Sequence, residues 1–141
     1  VTTLEDRQEI TDVLVRYATG IDTKDWPLFR TVFTPDAVCD YGAFGHWTDI
    51  DGVTEFMIAA HERCASTRHC LSNFVIDVQG DQASATSYVQ AVLAFDDVNE
   101  AWIDAVGAYQ DTLVRTADGW RISARTVQMT RQITNGVIPT G

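Results

Sequence analysis

The chain has 141 residues, 45% hydrophobic and 21% charged, with a formal net charge of −10. That length suits a single domain with a real core. Its acidity works against nucleic-acid binding, which relies on Lys and Arg to neutralise phosphates. No apolar run approaches the roughly 20 residues of a membrane helix. No basic, apolar leader opens the sequence, so a cytoplasmic protein without a nucleic-acid or membrane partner is expected.

Leu4 to Thr19 reads as the first helix. Ile10, Val13, Leu14, Tyr17, Ala18 and Ile21 keep the period of one face, and Gly20 is expected to weaken or end it. "TKDWPLFRTVF" suggests a short second helix with Trp26, Phe29, Val32 and Phe33 inward. "TPDA" reads as a turn. "AVCDYG" and "GHWTDI" look like a small hairpin about Gly42 and Gly45, and "DGVTEFMIAAHERC" like a third helix.

The period then changes to two. "TRHCLSNFVIDV", "QASATSYVQAVLAF", "AWIDAVGAYQDTLVRT" and "GWRISARTVQMTRQ" read as four long strands. Turns are expected at Gly80–Asp81 and Asp118–Gly119. The order implies an α+β fold, one bent antiparallel sheet with helices on one face. Residues 134–141 are expected to be a loosely held tail.

Two strands carry apolar residues on both parities. Leu71 and Val75 oppose Cys70, Phe74, Ile76 and Val78, while Trp120, Ile122 and Ala124 oppose Val127 and Met129. Helices cover one face only, so a homodimer or higher oligomer is expected.

The candidate chemistry begins at "RYATGID". Ile10, Leu14 and Ala18 are spaced by four, and the next member of that ridge is Asp22. A carboxylate there faces the negative end of the helix dipole and apolar walls. Both disfavour its charge unless a partner compensates. His69 opens the first long strand and is a natural partner, with Asn73 on its face by alternation. Spacing alone leaves other readings open. Asp22 or Thr23 could cap the second helix, and His69 could simply bond a backbone carbonyl.

Tyr17, Tyr41, Trp47 and Tyr109 are candidate pocket aromatics, since a phenol can donate to a developing enolate oxygen. Arg121, Ser123 and Arg125 alternate away from Trp120 and Ile122, so Arg125 is expected to pair with Asp104 or Asp111 on a neighbouring strand. Cys39, Cys64 and Cys70 form no CxxC, which speaks against a disulfide framework or zinc ribbon. His61-x-x-Cys64 with His69-Cys70 would need a helix and a strand to converge on one point, so no metal is expected. No G-x-S-x-G, G-x-G-x-x-G or P-loop is present.

"RYATGIDTKDWPLFRTVFTPDAV", the "RHCLSN" strand and "GAYQDTLVRTADGWRIS" together resemble the SnoaL-like branch of the nuclear transport factor 2-like superfamily, from about Leu4 to Arg131. Within it the chain is similar to enzymes of the scytalone dehydratase and hexachlorocyclohexane dehydrochlorinase kind. The resemblance implies a cone-shaped barrel of a strongly bent antiparallel sheet, with three helices closing a pocket. It also implies an Asp–His pair working without cofactor or metal, carried by Gly20-Ile21-Asp22 and by His69 to Asn73. The chain departs from the pattern in three ways: its first helix has no lysine near the pocket, Arg115 matches the strand arginine only loosely, and no histidine follows His69.

The expected function is therefore that of a dehydratase-, isomerase- or cyclase-like enzyme acting on a small apolar, cyclic molecule. Asp22 and His69 are its catalytic pair, and Tyr17, Tyr41, Trp47, Asn73 and Tyr109 its substrate contacts. The same fold can also serve as a non-catalytic binding module, or as a structural small subunit like that of ring-hydroxylating dioxygenases.

Overall fold

The computed structural model describes residues 2–139. Helix α1 spans Leu4–Asp22, opened by Thr3, whose hydroxyl accepts from the Asp6 amide at 3.0 Å. Helix α2 (Trp26–Arg30) is capped by Asp25, whose carboxylate accepts from the Leu28 amide. The cap is therefore neither Asp22 nor Thr23. Gly20 does not end α1. It lies inside the helix, where an added Cβ would meet the Phe29 backbone at 2.9 Å. Its lack of a side chain lets α2 sit directly on α1.

Strand β1 is Phe33–Asp40, β2 is His46–Trp47, and helix α3 is Ile50–His61. The "TPDA" segment is not a free turn but part of β1, accommodated by a register shift between Phe33 and Val38. The long strands follow as β3 (Cys64–Gln79), β4 (Gln82–Phe95), β5 (Trp102–Thr116) and β6 (Gly119–Thr134). Gly80 adopts φ +65° in the β3–β4 turn. The β5–β6 turn is Ala117–Asp118, with Gly119 at φ +100° opening β6.

The expected cone-shaped barrel of an antiparallel sheet is not what forms. The six strands make one open, mixed sheet in the order β2-β1-β6-β5-β4-β3, with β1 parallel to β6 and the other pairs antiparallel. Closure would require β3 to pair with the two-residue β2. Side chains protect the free edge of β3 instead. Lys24 Nζ donates to the Cys64 carbonyl at 2.9 Å, Asp22 accepts from the His69 amide at 2.9 Å, and the Thr2 hydroxyl accepts from the Val78 amide at 2.8 Å. An edge satisfied in this way needs no partner strand.

The core lies between the helices and the inner sheet face, with Ile10, Leu14, Phe29, Val32, Leu113, Trp120 and Ile122 fully buried. Bulges decide which residues face it. In β3 the register shifts between Ser72 and Val75, so Thr67 turns inward on odd numbering and Ile76 and Val78 on even. In β6 the register shift between Ile122 and Ala124 brings Arg125 to the side of Trp120 and Ile122. A bulge adds one residue and reverses the alternation beyond it. The two-sided apolarity that suggested a second subunit is largely this effect. Val75, Tyr88, Val92 and Val106 remain exposed on β3, β4 and β5.

The segment after β6 folds back. The Asn135 carboxamide accepts from the Trp102 amide at 2.8 Å and donates to the Glu100 carbonyl at 3.1 Å. Ile138 packs against the small cluster of Cys64, Phe95 and Ala101. Of the expected loose tail, Thr140 and Gly141 lie outside the described residues. No described helix is long and apolar enough to cross a membrane.

Candidate active site

A cavity of about 480 Å³ opens between α3, the Tyr17 side of α1 and the inner faces of β4, β5 and β6. Its volume falls within the range of small-molecule sites. Most of the wall is apolar, including Phe56, Met57, Leu93, Ile103, Val127 and Met129. The polar groups gather in two places.

The first is the end of α1. Ile10, Leu14 and Ala18 bury the ridge, and Asp22 terminates it. Asp22 Oδ1 accepts from His69 Nδ1 at 2.7 Å and from the Thr67 hydroxyl at 2.8 Å, while Oδ2 accepts from the His69 amide. Burial pushes the Asp22 carboxyl up. The His69 ring, the His69 amide and the Thr67 hydroxyl outweigh it, so its pKa ends below the ordinary carboxylate value. The ionised carboxylate can only accept, so His69 Nδ1 is the donor and its Nε2 carries the lone pair in the neutral ring. His69 lines the cavity.

The second polar group is a set of tyrosines. The Tyr17 and Tyr41 hydroxyls hydrogen-bond at 2.7 Å, and both residues line the cavity with Tyr109. Burial, with each phenol near another, holds Tyr17 well above its usual pKa against the pull of Arg125; burial likewise raises Tyr41 and Tyr109. All three therefore remain protonated donors. In the Tyr17–Tyr41 pair one hydroxyl donates to the other, and that bond does not use the second hydrogen.

Arg125 lies behind these rings, its guanidinium 4.2 Å from the Tyr17 centroid and 3.9 Å from that of Tyr109. It binds Asp111 through two bonds of 2.7 and 2.9 Å, with both side chains fully buried. Of the two expected partners, Asp104 and Asp111, it is Asp111. The pair is internal because the β6 bulge turns Arg125 inward. Burial penalises the Arg125 charge, but Asp111 more than compensates and raises its pKa. Arg125 Nη1 has no hydrogen-bond partner among the described residues.

Two candidates stand outside the cavity lining. Asn73 is exposed at φ +55° in the β3 bulge, because the register shift breaks the alternation that should align it with His69. Trp47 packs behind the wall, its ring 4.4 Å from Phe56 and 5.6 Å from Tyr41. Conversely, the sequence pattern singles out His61 only as part of a rejected metal constellation. That histidine is the last residue of α3 and lines the cavity, its ring 6.0 Å from that of His69. A signal was present: Val53, Met57 and His61 are spaced by four, like the ridge that ends in Asp22. Among the described residues no three His, Cys, Asp or Glu side chains cluster as metal ligands would.

A sequence profile described as a SnoaL-like domain matches residues 2–126. An uncharacterized protein of Mycobacterium tuberculosis is 34% identical over 129 residues, covering 89% of this chain and 86% of its own length. A crystal structure from Novosphingobium aromaticivorans, of a protein whose name proposes aromatic ring hydroxylation, superposes with a TM-score of 0.86. It is 28% identical and covers 97% of this chain and 96% of that one. A type 2 hexachlorocyclohexane dehydrochlorinase superposes with a TM-score of 0.84 at 16% identity, covering 98% of this chain and 94% of that one, a likeness of fold alone.

Proposed function

Because the chain belongs to the SnoaL-like domain family, we propose that it is a small-molecule lyase or isomerase that works by proton abstraction, without cofactor or metal. The observation that carries this reading is the 2.7 Å bond from His69 Nδ1 to Asp22 at the wall of an apolar cavity.

The substrate is a small apolar, cyclic molecule with a carbonyl or equivalent electron-withdrawing group. His69 Nε2 takes the proton from the adjacent carbon. Asp22 fixes the tautomer that leaves Nε2 free, and it stabilises the imidazolium once the proton has moved. The second hydrogen of the Tyr17–Tyr41 pair donates to the enolate oxygen as charge develops there. The imidazolium then returns the proton, to a leaving hydroxyl in an elimination or to another carbon in an isomerisation.

General acid–base catalysis of this sort contributes about 10²–10⁴-fold in rate. The test is turnover of a panel of bicyclic β-hydroxy ketones and β,γ-unsaturated ketones. Asp22→Asn and His69→Ala should each lower kcat by about that factor with the fold retained. Full activity in either variant removes the mechanism.

A second reading is a non-catalytic subunit of a larger oxygenase, as the name of the 28%-identical structure from Novosphingobium would allow. It gives the Asp22–His69 bond no use. A panel without a single turned-over compound would favour it.

A further inference from the structure

α1 and α3 end in the same way. Each carries an apolar ridge spaced by four, and each ridge stops at an ionisable side chain beside the cavity: Asp22 in α1 and His61 in α3. Asp22 is consumed by its bonds to His69 and Thr67. His61 is not consumed.

Its Nδ1 lies 2.8 Å from the Met57 carbonyl one turn earlier. A carbonyl can only accept, so Nδ1 carries the hydrogen and Nε2 of the neutral ring carries a lone pair. Nothing in the protein takes that lone pair among the described residues. Nor is Nε2 one of the buried polar atoms sealed away without a partner, which are Thr34 Oγ1, Ser87 Oγ and Arg125 Nη1. His61 also borders a second, outer cavity with Lys24, Glu55 and Glu62, and its ring bonds none of these side chains.

His61 is held neutral. Burial is the main cause of its lowered pKa, and the neighbouring His69 adds to it, against the opposing pull of the Met57 carbonyl. Both rings line the cavity, 6.0 Å apart, and each has an Nε2 that bonds no group among the described residues. A hydrocarbon would leave both unsatisfied. A molecule with a hydroxyl would not.

We propose that His61 Nε2 accepts a hydrogen bond from a substrate hydroxyl, so that the molecule taken into this cavity is a hydroxylated ring compound, phenolic or enolic in kind, rather than a bare hydrocarbon or ether. The proposal deepens the reading above and rests on the same cavity being the substrate site. His69 is then left free for the C–H proton, and His61 sets which molecules are accepted and how they turn.

The test is binding, which requires no turnover. The probes are 2-naphthol and 2-methoxynaphthalene, which share a bicyclic frame and differ in the hydroxyl hydrogen. Titration calorimetry on the full chain should show 2-naphthol binding about tenfold more tightly. His61→Phe should abolish that preference, and His69→Phe should keep it. On the unmutated chain, the imidazole ¹⁵N resonance of His61 Nε2 should shift with 2-naphthol and stay put with the ether, which guards against a variant that folds poorly.

Equal affinities for the two probes, a preference that survives His61→Phe, or no binding of either probe overturns the proposal. A protein that shows the preference yet turns nothing over keeps His61 as a binding residue and loses only the lyase or isomerase reading.

Discussion

Two ion pairs, one behind the cavity's tyrosines and one at the end of α1, solve the problem of a buried charge in opposite ways. Arg125 and Asp111 are sealed, paired by two bonds and stacked under two tyrosines, and neither side chain reaches solvent. Asp22 and His69 keep 17% and 9% of their side-chain surface, and the His69 ring has one nitrogen uncommitted. The first arrangement locks a charge state in place, while the second leaves room for a proton to arrive and depart. Of the two, only the second suits acid–base work; the first serves to hold the tyrosines where they face the cavity.

The sharpest way to break this contrast is to remove one partner from each pair. Asp111→Ala leaves an uncompensated buried guanidinium and should cost about 3–5 kcal/mol of stability, a large share of a typical domain's total. Denaturant unfolding followed by circular dichroism measures it. His69→Ala leaves Asp22 with the Thr67 hydroxyl and the part-exposed surface it already has. It should unfold near the midpoint of the unmutated chain, with its loss confined to turnover. Equal destabilisation by the two substitutions would erase the distinction.

A smaller effect tests how α1 delivers Asp22. Gly20→Ala places a Cβ within 2.9 Å of the Phe29 backbone, and overpacking of this kind costs about 1–3 kcal/mol. Because Gly20 lies two residues before Asp22, activity should fall along with the melting temperature. A neutral Gly20→Ala would mean that α2 can move away freely.

The smallest effect is electrostatic. The folded-state pKa of Asp22 lies below its unfolded value near 3.8. Its contribution to stability is therefore present above that value and is lost as pH falls through the lower, folded-state pKa. Acid unfolding of the unmutated chain should steepen below about pH 4, and Asp22→Asn should flatten that limb. Superimposable acid limbs would show that the three bonds to Asp22 carry no net preference for its charged form.

The four long strands were legible because runs of 12 or more residues with a period near two, bounded by turn residues, have few other readings. β4 even carries the expected limits, Gln82–Phe95. Asp22 was legible for the same kind of reason: a ridge of period four has to end somewhere, and it ended in a charge. The bulges were not legible. One extra residue near Asn73 and one register shift between Ile122 and Ala124 leave no mark in composition, yet they put Asn73 outside the cavity and Arg125 inside the core. The open sheet was equally hidden, because what protects the β3 edge is a set of side chains from Thr2, Asp22 and Lys24 rather than a strand. His61 carries the same ridge signal as Asp22, but the third helix has no glycine or proline near His61 to mark it as the last residue.

The central claim is that His69, oriented by Asp22, is a base facing the cavity. Deuterium exchange into the acidic C1 position of 2-tetralone in D₂O, followed by proton NMR, tests it without knowledge of the natural substrate. The account predicts exchange accelerated by the unmutated protein and reduced to the buffer rate by His69→Ala and Asp22→Asn alike. Exchange that His69→Ala leaves untouched, or that the unmutated protein never accelerates, would contradict it.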